Sequence, residues 1–145
     1  MKYEFVPGDE IVIAPGRTLK RIRALVAIAS IGVVPGDAGG YIESEKNLSQ
    51  VSGDAWVYGN AWVYGNALVL GSNDWLLIGP AKSSGRFTTA YRDEKIGVRV
   101  SCGCFSGSVL EFLKQIESTH KNNQQALEQY RLFCQLIAFN FGVEA

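Results

Sequence analysis

The spacing of apolar positions changes rhythm along this chain, and the most regular stretch is the most informative. From Val51 the pattern recurs every six residues: Val51-Ser-Gly-Asp-Ala-Trp56, Val57-Tyr-Gly-Asn-Ala-Trp62, Val63-Tyr-Gly-Asn-Ala-Leu68, then a decayed Val69-Leu-Gly-Ser-Asn-Asp74. A fixed short period means that one supersecondary unit is being copied. Val at the first position and Ala at the fifth suit a narrow interior. Gly with Asp or Asn between them suits a corner, where positive φ is tolerated. The period predicts a short hexapeptide β-solenoid, left-handed β-helix-like, over residues 41–78, with Tyr41–Leu48 supplying two further sides. Two turns leave apolar ends open, so such a unit needs caps or self-association. Trp56, Tyr58, Trp62 and Tyr64 fall at outward positions of the period and form an expected contact surface. Either a second copy of the chain or its own C-terminal helices would cover these rings.

Before the repeats, Pro7-Gly8, Pro15-Gly16 and Pro35-Gly36 are turn signals. Between them lie strand candidates at Glu10–Ala14, Leu19–Ala27 and Ile31–Val34, the second with Arg21 and Arg23 on one face and Ile22 and Ala24 on the other. Asp37–Gly40 reads as a flexible joint. After the repeats, Trp75–Ile78 is a buried-strand run. Phe87–Tyr91 and Ile96–Cys104 then read as a β-hairpin turning at Arg92–Lys95, with Ile96, Val98, Val100, Cys102 and Cys104 on one face and Arg99 and Ser101 opposite. Ser108-Val-Leu-Glu111 matches a capping box that opens a helix running to His120. A second helix spans about Gln125–Phe139, with Leu127, Tyr130, Phe133, Cys134, Ile137 and Phe141 as its main stripe. Leu132, Leu136 and Phe139 widen that stripe, so this helix is expected to be heavily buried. The expected fold class is α+β: one domain over 1–145, with N-terminal strands in 1–40, the solenoid in 41–78 and an α+β unit in 79–145.

Composition narrows the function classes. Fourteen basic residues balance fourteen acidic ones, which argues against a whole-surface nucleic-acid binder. The longest apolar run, Ala24–Val34, is too short to span a bilayer and too internal for a secretory signal. The three cysteines cannot all pair, so a cytoplasmic protein with reduced thiols is expected.

Candidate chemistry is sparse. The loop Gly79–Arg86 is the most ligand-like segment: glycine-flanked amides, the hydroxyls of Ser83 and Ser84, and the cations Lys82 and Arg86 suit a phosphate or another anion. Arg99 is expected to converge on it from the polar face of the next strand. The segment is not a Walker A loop, since Gly-Lys-Ser/Thr is absent. It also reads as a solvated connector. Cys102-Gly-Cys104, Cys134 and His120 do not have zinc-site spacing, and the thiols read as buried structural residues. His120, at a helix end, reads as a terminal charge interaction and not as a base. No metal, cofactor or catalytic residue is expected.

The run Gly39–Ser49, the Trp-Val-Tyr-Gly-Asn-Ala copies, Ile78-Gly-Pro80, Val98-Arg-Val-Ser-Cys-Gly-Cys-Phe-Ser-Gly107 and Thr119-His120 together resemble a family of small phage and prophage proteins that carry variable numbers of these hexapeptides. Taken alone, the hexapeptides are similar to those of left-handed β-helix acyltransferases. The family resemblance implies a phage-encoded accessory protein of the host cytoplasm and implies no reaction. On this reading the chain is a non-enzymatic anti-defence binding protein, assembled as a dimer- or trimer-based homo-oligomer. It would sequester an anionic small molecule, such as a nucleotide signal, or block a host protein. The alternatives are a hexapeptide acyltransferase and a purely structural oligomerisation module.

Overall fold

The computed structural model describes residues 1–13 and 16–145. Ala14, the expected end of the first strand, and Pro15 of the second turn signal lie outside the described residues. Eight strands and two helices follow in order: β1 (Tyr3–Ile13), β2 (Arg17–Ala24), β3 (Ala38–Ile42), β4 (Trp62–Val63), β5 (Trp75–Ile78), β6 (Thr88–Asp93), β7 (Gly97–Cys102), β8 (Phe105–Gly107), α1 (Val109–Thr119) and α2 (Gln124–Phe141). They build two four-stranded sheets, ordered β1-β2-β3-β4 and β5-β6-β7-β8. Among the described strands β3 and β4 pair in parallel and the other neighbours are antiparallel.

The α+β class, the hairpin and the two C-terminal helices are present, but the expected solenoid is not. Within the hexapeptides only Trp62–Val63 is a strand. The remainder runs as tight turns, with φ +62° at Gly59 and +65° at Gly65, and as single bridges such as Leu48 with Val69. Residues 40–49 lie in parallel against 57–69, through bonds such as Tyr41 N–H to the Ala61 carbonyl and Ser49 N–H to the Val69 carbonyl, but the pairing stays intermittent and builds no regular coil. The repeat builds a core instead: Ala55, Val57, Ala61, Val63, Ala67 and Val69 are all fully buried. Each buried Val contributes on the order of 1.5 kcal/mol or more.

Other expectations also shift. Pro7-Gly8 does not turn the chain but sits in a bulge of β1, where the register with β2 slips between Phe5 and Glu10. Ile31 ends a short 3₁₀ turn, not a strand. Gly39 and Gly40 are no flexible joint. They belong to β3 and lie buried because nothing larger fits: a Cβ on Gly39 would stand 2.5 Å from Ile22 Cγ1 and 2.8 Å from the Val57 carbonyl oxygen.

The second sheet is the middle layer, and side-chain alternation divides its two faces. Trp75 and Tyr91 face the hexapeptides and the first sheet, in a core with Tyr3, Ile22, Ile42 and Trp56. Ala90, Val98, Val100 and Cys102 face the helices, in a second core with Val109, Phe112, Ile116, Tyr130, Cys134 and Ile137. α1 starts as its sequence predicts: Glu111 N–H donates to Ser108 Oγ (3.1 Å), and Ser108 N–H donates to Glu111 Oε1 (2.9 Å). No helix among the described residues is long and apolar enough to cross a membrane.

Candidate functional site

A cleft of about 290 Å³ opens between the two sheets. Ile11 of β1, Trp62 of β4 and Asn60 in the turn before it line it from the first layer; Thr89 of β6, Ser101 of β7 and Gly103 line it from the second. Gly85, Arg86 and Phe87 close one side. The polar face of β6 and β7 must lie here, because the alternate positions supply the core under the helices.

Two hydrogen bonds hold the walls together. Trp62 N–H donates to Thr89 Oγ1 at 3.2 Å, and Ser101 Oγ donates to the Trp62 carbonyl oxygen at 3.3 Å. Thr89 accepts in this pair and so keeps its own O–H to offer inward. Arg86 forms no ion pair among the described residues. Its guanidinium packs over Gly103, where a Cβ would meet Arg86 Nη1 at 3.0 Å. Gly103 also holds φ +58° at the β7–β8 turn, so glycine there serves both the turn and the cation. The cleft thus joins two aromatic rings, a guanidinium with no carboxylate partner, and hydroxyl and amide groups. That combination puts stacking surface, one cation and hydrogen-bonding groups in the same cleft.

Of the five residues expected to hold an anion, Arg86 alone lines this cleft. The loop amides do not cradle a ligand, because they donate within the chain: Ala81 N–H to the Arg86 carbonyl, Gly85 N–H to the Ala81 carbonyl, Lys82 N–H to Gln129 Oε1, and Arg86 N–H to Ser84 Oγ. Ser84 Oγ also meets the Tyr130 hydroxyl at 3.0 Å, which fastens the loop to α2. Lys82 and Ser83 are exposed. Arg99 does not converge with Arg86. It lines a separate cleft of about 270 Å³ with Arg17, Tyr64, Asn66 and Ser106. Its Nε donates to Asp93 Oδ2 at 2.7 Å. Burial of Asp93 would raise its carboxyl pKa, but Arg99 and the N–H groups of Ile96 and Lys95 outweigh that and hold it below the ordinary carboxylate range.

The aromatic stripe is also rearranged. Trp56 and Tyr64 are buried inside the chain, not displayed. Trp56 meets Tyr3 edge-on at 6.4 Å, and Tyr64 packs near Tyr91 at 6.3 Å. The two sheets cover these rings; the C-terminal helices do not. Trp62 is half-buried in the inter-sheet cleft, and only Tyr58 remains open, 59% exposed and edge-on to Trp75.

The thiols separate by environment. Cys102 and Cys134 are buried, and burial pushes Cys134 up to about 11. Cys104 is exposed, because the chain turns at Gly103-Cys104 before the expected alternation reaches it. His120 caps α1 and stacks on Tyr130, with centroids 5.1 Å apart and planes 12° from parallel. Among the described residues no group of three His, Cys, Asp or Glu side chains is placed to hold a metal. Sequence reasoning passed over Asn60, Phe87 and Thr89; the pairing of Thr89 with Ser101 on one polar strand face was the available signal. No protein-family model, curated protein or solved structure matches this chain.

Proposed function

We propose that this chain is a non-enzymatic binding protein whose inter-sheet cleft takes a nucleotide-type anion. The observation that carries this reading is the juxtaposition of Arg86, free of any carboxylate, with the rings of Trp62 and Phe87 and the hydroxyls of Thr89 and Ser101. A base would lie against the indole, and an anionic group would meet the guanidinium. The volume suits one ring system with one charged group, so a mononucleotide or cyclic nucleotide fits better than a long polyphosphate. The resemblance to phage-encoded proteins supplies the setting: stoichiometric removal of a signalling nucleotide in an infected cell.

Equilibrium dialysis against mixed nucleoside monophosphates and cyclic nucleotides tests the reading. Retention of one class in about equimolar amount supports it. Loss of that retention in Trp62→Ala, which removes stacking of about 1–3 kcal/mol, places the base. No retention of any nucleotide rejects it.

A further inference from the structure

α2 presents a second apolar face that none of the described residues covers. Leu132, Leu136 and Phe139 were expected to broaden its buried stripe, yet they stand 61%, 47% and 87% exposed. They are spaced i, i+4 and i+7, which aligns them as one ridge on the solvent side. Single exposed apolar residues are ordinary, but a continuous ridge is not. From Leu132 to Val143 the sequence contains no Asp, Glu, Lys or Arg. Beside the end of this ridge an open groove of about 510 Å³ carries Ile96, Leu110 and Val143, which are also exposed, and Glu144 is the one charged residue of its lining.

We infer that this face docks against a second copy of the chain. Charge selects that occupant: an uncharged ridge has nothing to pair with a nucleic acid or a charged peptide, whereas two identical neutral ridges meet without repulsion. Shape agrees. A two-fold axis near Leu136 lays two α2 helices antiparallel and sets Leu132 beside the partner's Phe139, the self-complementary arrangement of an isologous dimer. Area agrees as well. The six exposed apolar side chains of ridge and groove, Phe139 and Leu132 foremost, supply an apolar centre for an interface of the standard size, about 800 Å² per partner, with a polar rim completing it. The inter-sheet cleft takes no part in this contact, so the inference does not rest on the ligand reading.

Sedimentation equilibrium across the micromolar range tests it, with Phe139→Glu and Leu132→Glu as variants and Arg86→Ala as control. The wild type and Arg86→Ala are expected to dimerise. Each glutamate is expected to weaken the dimer at least about thirtyfold, the loss typical of a central contact residue, while circular dichroism stays unchanged. A wild type that remains monomeric overturns the inference. So does dimerisation undiminished in both variants, and so does unfolding of both, since an uncovered face tolerates a charge.

Discussion

The main-chain N–H of Trp62 donates to Oγ1 of Thr89 at 3.2 Å, joining β4 to β6 although these strands belong to different sheets. Trp62 is thereby fixed at the mouth of the inter-sheet cleft by its backbone, and its indole is left to line the opening. The bond lies between the last usable hexapeptide strand and the middle layer, so it is a joint of the fold and of the site together.

Thr89→Val keeps the shape of the side chain but removes the acceptor. Thr89 is almost fully buried, and the Trp62 N–H would be left without its partner. The expected cost is about 1–3 kcal/mol, read as a lower urea midpoint with an unchanged m value. A midpoint equal to that of the wild type would show that water replaces the bond.

Asp93 makes stability depend on acid. Its folded pKa lies below the unfolded value of about 3.9, so the unfolded chain binds more protons as pH falls. The stabilisation is complete above about pH 4 and disappears as pH drops through the lower folded value. Asp93→Asn is expected to cost on the order of 2 kcal/mol or more at neutral pH, because it leaves the Arg99 guanidinium unpaired. It is also expected to flatten the acid limb of the stability profile. Parallel acid limbs for variant and wild type would remove Asp93 from that role.

Thiol accessibility checks the β7–β8 turn. A disulfide reagent is expected to modify Cys104 quickly, and Cys102 and Cys134 only as the protein opens, with all three reacting in denaturant. Fast modification of more than one thiol in the native protein would contradict the burial of Cys102 and Cys134 between the second sheet and the helices.

Much of the fold was legible where local pattern and tertiary demand coincide. Ser108 and Glu111 announce α1 because both groups of a capping box lie within one turn. The Val and Ala positions of the hexapeptides are core positions because small apolar residues recur at a fixed phase. What the repeat did not reveal is how intermittently it would pair with residues 40–49. Its outward rings found cover from sheets distant in sequence, Trp56 from β1 through Tyr3 and Tyr64 from β6 through Tyr91. Gly39-Gly40 read as looseness, although their cause is crowding by Ile22, Val57 and Ala61, which sequence spacing does not show. Helical periodicity marked Leu132, Leu136 and Phe139 as apolar but not which side of α2 the second sheet would occupy.

The candidate site was legible only in part, for a related reason. Arg86 stood out as a cation in a glycine-containing loop, but the amides expected to assist it close the loop's own turns. Arg99 stood on the same strand face as Ser101, yet Asp93, six residues earlier, draws its guanidinium into a separate cleft. The cleft itself is a property of two sheets meeting, and none of its walls is continuous in sequence.

The central claim is that Arg86 and Trp62 form an anion-binding cleft, and calorimetric titration with nucleoside monophosphates and cyclic nucleotides tests it most directly. The expected result is one saturable site per chain for at least one nucleotide, weakened by added salt because the charge contact lies near the surface. In Arg86→Ala the affinity should fall roughly tenfold or more, the typical worth of a hydrogen bond to a charged group, with the denaturation midpoint unchanged. Binding that is indifferent to both salt and Arg86→Ala, or no heat with any nucleotide, would contradict the account.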